Sequence, residues 1–299
     1  MNPFVEKIIP LILAFFLGIA FKQLKLLKKE DAPILLRLVL TVTLPALTII
    51  AVTNVQLVAD MALIPFMAIA VVFCMYFISY FVGRRLNMPR PMFGSFLVGT
   101  MIMNTAYSLP FFAAAHGNEG LARASLFDIG NTFMIFTFTY YNAIKYGDNS
   151  HTDKIYWGKF LRMPPLWAML IAFVWKAASI PLPPLAFNFF TLISQPTVPL
   201  VMIALGLYFD PKLKHLSKAL IAVFIRMGVG LGIGIALATI FSFTGITRTV
   251  VIANSALPIG FNTLIFANLE NMDSEFAATC VSISIFIALF YLPLLIYLF

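Results

Sequence analysis

Ten long apolar runs, separated by short polar breaks, constrain this chain more than any other feature of its sequence. The runs cover roughly 5–21, 33–53, 61–82, 92–115, 121–146, 164–180, 185–209, 218–243, 247–268 and 274–298. A helix needs about 20 residues to cross the hydrocarbon core of a membrane. A membrane β-barrel would instead show segments of about ten residues with alternating polarity. The pattern therefore predicts an all-α polytopic membrane protein with ten transmembrane helices, spans 1 to 10.

The composition fits a membrane protein and leaves no room for a soluble catalytic domain. Hydrophobic residues make up 61% of the 299 residues and charged residues 11%, against about 45–50% and 25% in soluble proteins. The sequence shows neither paired intramembrane aspartates nor the H-E-x-x-H pattern of a zinc enzyme. We therefore predict no catalytic residues, no metal site and no cofactor, other than sodium or a proton as a coupling ion.

Basic residues are concentrated on one side of the predicted membrane protein. The loops between spans 1 and 2, 3 and 4, 5 and 6, and 7 and 8 carry fourteen of the twenty lysines and arginines, and the other side carries four. Cytoplasmic loops are enriched in these residues, so both termini are predicted to be extracytoplasmic. The net charge of +8 thus reflects orientation among membrane lipids and not a nucleic-acid partner.

The two halves of the chain match each other at an offset of about 150 residues, which indicates an internal repeat. Span 2 contains LPALTIIAV and span 7 contains VPLVMIALG, while span 4 contains NTAYSLPFF and span 9 contains NSALPIGF. Each half holds five spans, an odd number, so the second copy must be inverted in the membrane. We predict a first repeat over 1–147, a cytoplasmic loop over 148–163 and an inverted repeat over 164–299.

Spans 4 and 9 each carry a proline within an apolar run, a few residues after an asparagine. Proline removes a helical hydrogen bond, and broken helices in matching positions of inverted halves point to a transporter binding site. The helix N-termini at such breaks suit an anion. A lone membrane asparagine can instead be a packing contact between helices. The candidate substrate-binding residues are Asn104, Tyr107, Pro110, Asn254, Ser255, Pro258 and Asn262.

The sequence at both breaks resembles a known family. The run NTAYSLPFFAAAHGNEGL at 104–121 resembles the first helix crossover of the auxin efflux carrier family. The runs ALPIGFNTLIFA at 256–267 and SISIFIALFYLP at 282–293 resemble its second crossover and last span. That family includes plant auxin exporters and bacterial permeases for malate and malonate. The long central loop of the plant exporters is absent here, and Ser108 and Leu109 stand where a glycine often precedes the first proline.

The resemblance implies a fold like that of the bile-acid sodium symporters, with spans 4 and 9 crossing at the site. Spans 1, 2, 6 and 7 would form a scaffold, and spans 3–5 and 8–10 a transport core that moves past it like an elevator. The asparagines at the breaks would bind a carboxylate group of the substrate. A bacterial plasma membrane is the expected location, and a homodimer through the scaffold spans is left open.

Two ionisable residues lie deep in the predicted spans. Asp128 in span 5 is the only deep acidic residue, and Asn131 follows on the same helix face. Burial of a charge in a membrane is costly, so such a residue is a functional candidate. We predict that Asp128 and Asn131 bind the coupling ion, with a structural role for Asp128 as the alternative. Arg226 in span 8 is predicted to extend to the cytoplasmic interface, with pairing to Asp128 or attraction of an anion as alternatives.

A cluster of glycines follows Arg226 in span 8. Gly228, Gly230, Gly232 and Gly234 form two overlapping G-x-x-x-G patterns. Such patterns allow close packing of membrane helices. We therefore predict helix contacts at this cluster and no nucleotide binding.

Secondary active transport of a small organic anion, such as malate, malonate or an auxin-like acid, is the leading hypothesis. The alternative within transport is a sodium/proton exchanger of related fold, although such exchangers usually carry paired intramembrane carboxylates and this chain has one. The alternative from another class, an intramembrane enzyme, would need an acid–base or metal constellation. The symmetric layout without such a constellation favours transport.

Overall fold

The structure, a computed structural model, describes residues 3–54, 59–147, 164–178, 180–210 and 215–299. The predicted loop 148–163 therefore lies outside the described residues. The α-helices are α1 (Pro3–Gln23), α2 (Ala32–Leu38), α3 (Leu44–Asn54), α4 (Ile64–Arg85), α5 (Arg90–Met101), α6 (Thr105–Met134), α7 (Tyr140–Tyr146), α8 (Pro164–Ala177), α9 (Pro184–Ser194), α10 (Thr197–Tyr208), α11 (Leu216–Val223), α12 (Gly230–Ile240), α13 (Gly245–Ser255), α14 (Asn262–Leu269) and α15 (Ser274–Leu298). Turns of π-helix at Val39–Thr43, Ile135–Thr139 and Phe224–Val229 join helices that would otherwise be separate.

Five of the described helical stretches are long and apolar enough to cross a membrane. They are Lys29–Asn54, Ala59–Arg85, Pro184–Tyr208, Leu216–Ile240 and Ser274–Leu298. They coincide with predicted spans 2, 3, 7, 8 and 10, in agreement with a polytopic membrane protein, while the number ten stays a prediction. Predicted span 4 is divided between α5 and the beginning of α6, and predicted span 9 between α13 and α14. The stretch α6 comprises two helices, because Gly117 inside it has non-helical backbone angles (φ 58°, ψ −142°). Span 6 corresponds to the 14 residues of α8.

Large apolar side chains cover the outward faces of the helices. Phe77 is 57% exposed, Val174 71%, Leu185 83% and Phe224 68%. Apolar exposure of this extent is unfavourable in water and indicates a surface that contacts lipid. The structure therefore agrees with an integral membrane protein.

Contacts divide the chain into two compact units, and each unit draws on both halves of the sequence. The first comprises Met1–Met61, Ala106–Ser125 and Leu161–Phe209, which include predicted spans 1, 2, 6 and 7. The second comprises Ala62–Thr105, Leu126–Phe160 and Asp210–Phe299, which include predicted spans 3, 8, 9 and 10. Spans 4 and 5 are shared: the segment that connects them belongs to the first unit and their other ends to the second.

In the first unit, helices α1 and α10 approach until their backbones touch. A Cβ atom at Gly18 would lie 2.2 Å from the carbonyl oxygen of Ile203, and one at Gly206 would lie 2.1 Å from that of Phe15. Small residues let membrane helices gain packing contacts at short range. Any side chain at these two glycines would force the helices apart.

In the second unit, α12 packs closely against α13 through two of the four glycines of span 8. A Cβ atom at Gly230 would lie 2.2 Å from the carbonyl oxygen of Ser255, and one at Gly234 would lie 2.7 Å from the Ser255 Cβ. A Cβ atom at Gly232 would meet nothing within 4 Å, and the three atoms nearest to one at Gly228 belong to Phe224 of the preceding turn. One of the two predicted G-x-x-x-G patterns is therefore a helix contact and the other is not.

Candidate functional site

Predicted spans 4 and 9 are both interrupted within the second unit, and the backbone at one break pairs with the backbone at the other. Helix α5 ends at Met101 and α6 begins at Thr105, while α13 ends at Ser255 and α14 begins at Asn262. Between these helices, Met103 and Ile259 form an isolated antiparallel bridge. Backbone groups freed by a break must find partners within a membrane protein. Each break supplies partners for the other.

Two backbone hydrogen bonds flank this bridge. The Asn104 amide donates to the carbonyl of Pro258 over 3.0 Å, and the Gly260 amide donates to the carbonyl of Ile102 over 3.1 Å. Asn104 and Pro258, two of the residues singled out in the sequence, are therefore joined directly. The paired breaks place them at one point in the second unit.

A polar side chain from farther along the chain supports each break, Asn131 of α6 at the first and Ser284 of α15 at the second. Asn131 Nδ2 donates to the Met103 carbonyl over 2.9 Å, and the Met103 amide donates to Asn131 Oδ1 over 3.4 Å. On the other side, the Ile259 amide donates to Ser284 Oγ over 3.1 Å. Asn131 and Ser284 thus bind the two residues that form the bridge. The sequence indicated Asn131 as a residue for ion coupling, and the structure shows both atoms of its amide engaged with backbone.

The two prolines are placed differently from each other. Pro258 lies within the second break, but Pro110 lies inside α6, after the first break has ended. The expectation that the first break lies at Pro110 is wrong. Pairing with the second break takes Ile102 to Asn104 out of the helix, and the helix resumes at Thr105 before it reaches the proline.

Buried amides and hydroxyls surround the second break. Asn254 and Ser255, at the end of α13, are 0% exposed, and Asn104 is 4% exposed. Ser255 Oγ donates to the Val251 carbonyl over 2.6 Å. The Asn254 amide nitrogen and oxygen, and the hydroxyl of buried Thr263, find no hydrogen-bond partner among the described residues. A buried polar group without a partner costs about 1–3 kcal/mol, so these groups suit a polar ligand.

Three further predicted site residues are less closely connected to the breaks. Asn262 is the first residue of α14 and is partly buried. Tyr107 and Pro110 belong to the first unit. The Tyr107 ring is fully buried and lies 5.2 Å from the ring of Phe111. Of the predicted substrate-binding residues, Asn104 and Pro258 are joined by a hydrogen bond, and both belong to the second unit.

Asp128 lies in the part of α6 that follows Gly117 and is held in a hydroxyl cluster that includes Thr105, the first residue of α6. Its Oδ1 accepts hydrogen bonds from the hydroxyls of Thr105 and Thr132, the latter over 3.2 Å. Asn131 Nδ2 lies 3.3 Å from Thr105 Oγ1. A carboxylate is stabilised near a helix N-terminus, and Thr105 is the first residue of α6. Thr132 could have been found from its spacing of four residues to Asp128, but no sequence signal identified Thr105.

Arg226 does not extend to the membrane interface, so that prediction is wrong. The side chain is 0% exposed, within the π-helical turn Phe224–Val229. Its Nη1 donates to the Thr100 carbonyl over 3.0 Å, and its Nη2 donates to the Ser255 carbonyl. Among the described residues, it forms no ion pair with Asp128. Two backbone carbonyls, brought together by the paired breaks, hold the guanidinium inside the second unit.

One buried acidic residue was missed in the sequence because it falls in a segment assigned to a loop. Glu270 follows α14 and is 7% exposed. Its Oε1 accepts a hydrogen bond from the Tyr140 hydroxyl over 2.8 Å. Glu270 is thus hydrogen bonded to Tyr140. In the sequence it lies just after α14, away from the bridge residues Met103 and Ile259.

Comparison with known proteins gives matches over nearly the whole chain. A family model described as "Membrane transport protein" matches residues 3–296. An uncharacterized transporter of Methanothermobacter thermautotrophicus is 26% identical over 295 residues, with 97% of this chain and 96% of the relative covered. An uncharacterized transporter of Methanocaldococcus jannaschii is 26% identical over 298 residues, with 95% and 94% covered. Both breaks lie within the range of the family match.

Proposed function

We propose, from the premise that this chain belongs to the membrane transport protein family, that it is a secondary transporter of a small organic anion. This family is that of the auxin efflux carriers, which the sequence at the two breaks resembles. The substrate is a carboxylate such as malate, malonate or an auxin-like acid. It binds at the paired breaks of the second unit.

The side-chain amide of Asn254, which is buried and finds no hydrogen-bond partner among the described residues, is the observation that carries this proposal. The amide lies at the end of α13, next to a break whose other side begins α14. The hydroxyl of Thr263 in that helix also finds no partner within the described part of the chain. The first turns of α6 and α14 carry partial positive charge at the breaks. A carboxylate would accept hydrogen bonds from these donors and be stabilised by both helix ends.

The division into two units supports movement of the elevator type. Predicted spans 1, 2, 6 and 7 all belong to the first unit, and the paired breaks belong to the second. The bridge and its supporting side chains, Asn131 and Ser284, tie the breaks into a single body. The second unit would therefore carry the bound anion across the membrane with the contacts between the two breaks intact, while the first unit remains fixed.

Uptake into proteoliposomes tests the proposal directly. Radiolabelled malonate, malate and indole-3-acetate are supplied separately, with proton and sodium gradients imposed one at a time. We expect saturable uptake of at least one of these acids by the wild-type protein and none by empty liposomes. Absence of uptake and of specific binding for every carboxylate in the panel would contradict an organic-anion transporter.

Asn254→Ala and Asn104→Ala test the site. Loss of a hydrogen bond to a charged ligand group costs about 1.5–3 kcal/mol, or roughly 10- to 150-fold in affinity. We expect a loss of this size in each variant, measured by binding of the transported acid to purified, folded protein. Asn268→Ala is the matched control, because Asn268 is exposed in the same unit and its side-chain amide donates to the carbonyl of Leu264 in its own helix. Wild-type affinity in both site variants would show that these asparagines serve packing alone.

A further inference from the structure

Arg226 connects the two broken spans at equivalent places. Its two carbonyl partners, Thr100 and Ser255, lie in the last turns of α5 and α13, which are the first halves of the two spans. Gly230 makes room for this contact, because a Cβ atom there would lie 2.7 Å from Arg226 Nη2. The third guanidinium nitrogen, Nε, is buried, and its N–H finds no acceptor among the described residues.

The surroundings of Arg226 are those of a cation site. Each helix C-terminus carries about half a negative charge on its free carbonyls. Two such ends together offset one positive charge in an environment where an unpaired charge is very costly. The C-terminal ends of broken helices are also where transporters bind coupling sodium ions. Here a guanidinium fixed to the chain is hydrogen bonded to the two carbonyls.

We propose that Arg226 is a tethered cation, which replaces an exchangeable metal cation at the half-helix C-termini and provides fixed positive charge for an anionic substrate. The second part rests on the proposed function, whereas the first does not. Two consequences follow. No sodium ion is needed to hold these helix ends together, and binding discriminates an acid from its neutral amide.

Thermal unfolding without substrate tests the cation site itself. The unfolding temperature of purified wild-type protein is measured in sodium chloride and in choline chloride, and any difference between the two, including one from sodium at Asp128, is the reference for the variants. Arg226→Ala exposes the two carbonyls and should unfold at a lower temperature. Millimolar guanidinium, or sodium in place of choline, should restore part of that loss, because a cation that binds only the folded state stabilises it.

Arg90→Ala is the matched control for this measurement. Arg90 is an exposed arginine of the same unit, and its Nη2 also donates to a backbone carbonyl, that of Lys145, over 2.8 Å. Neither guanidinium nor sodium should raise its unfolding temperature beyond the wild-type response. If Arg226→Ala responds no more than Arg90→Ala, the cation site is disproved. If Arg226→Ala does not yield folded protein, Arg226→Gln is used instead, because it keeps two hydrogen-bond donors without the charge. Its response to guanidinium and sodium is compared with that of Arg90→Ala in the same way.

The charge of Arg226 is tested through substrate preference. Malonate and indole-3-acetate are compared with malonamide and indole-3-acetamide in competition binding. Arg226→Lys keeps the charge and should retain the preference for the acid, whereas Arg226→Gln should lose about tenfold or more of it. Equal preference in Arg226→Gln and wild type would overturn the role in anion selection. If no acid binds to wild-type protein, the proposed function fails, and the unfolding measurements still decide whether Arg226 is a tethered cation.

Discussion

At the scale of single residues, Asp128 is the group whose replacement should separate coupling from transport. Its carboxylate accepts hydrogen bonds from two threonine hydroxyls, and we propose that it binds the coupling ion, a proton or sodium, there. Asparagine keeps the shape but has neither the charge nor an acidic proton. We expect Asp128→Asn to lose gradient-driven accumulation while substrate exchange continues. Concentrative uptake and counterflow, measured on the same proteoliposomes, check this.

The control for Asp128→Asn is Asp31→Asn. Asp31 is a carboxylate of the first unit that accepts a hydrogen bond from the Lys28 backbone amide over 2.7 Å. Its replacement should leave accumulation unchanged. Accumulation at the wild-type level by Asp128→Asn under every imposed gradient would mean that Asp128 is structural.

The sequence identified some site residues because their chemistry is local, and missed others because theirs is not. Asn104 and Asn254 stand out as polar residues beside prolines in apolar runs. Arg226 also stands out, but the sequence alone favoured a side chain that reaches water. Its partners, Thr100 and Ser255, lie 126 and 29 residues away, on α5 and α13. Only the pairing of the breaks brings their carbonyls close enough to bind a guanidinium.

At the scale of helices, the contact between α12 and α13 should depend on one glycine and not on its neighbour. Gly230→Ala would place a methyl group 2.2 Å from the Ser255 carbonyl oxygen, and such overpacking costs about 1–3 kcal/mol. Gly232→Ala meets nothing within 4 Å and gains up to about 1 kcal/mol of helix propensity. We therefore expect the unfolding temperature to fall in the first variant and to stay equal or rise in the second. Equal changes in both would contradict the observed packing.

The helical elements were predictable where a span is continuous, and less so where it is broken. Apolar length alone indicated the spans that contain α4 and α15. The first break was expected at Pro110, yet it lies at Ile102 to Asn104. Proline marks a place where a helix loses a hydrogen bond. The position of the break itself depends on which backbone groups can pair with Pro258 and Gly260 across the unit.

At the scale of the whole molecule, the distribution of lysine and arginine predicts the orientation of the chain. Lys28 and Asn118 are exposed, and they lie between predicted spans 1 and 2 and between predicted spans 4 and 5, segments that this distribution assigns to opposite sides of the membrane. In a variant without Cys74 and Cys280, Lys28→Cys should react with an impermeant reagent only from the cytoplasm. Asn118→Cys should react only from outside. Labelling of both positions from one side would contradict the inverted repeat.

The bridge between Met103 and Ile259 also bears on how such a molecule can arise. Each residue comes from a different half of the chain, and the backbone amides of Asn104 and Gly260 donate to carbonyls of the other half, so neither half alone satisfies every backbone group of its own break. A five-span ancestor would have needed a second copy of itself, inserted upside down, and hence a sequence without a strong preference for either orientation. Fusion of two such genes would release each half from that symmetry. Asp128 and Arg226 are each present in only one half of the chain. A fused chain can accept such a residue once, whereas a dimer of two identical, oppositely inserted copies would have carried it twice.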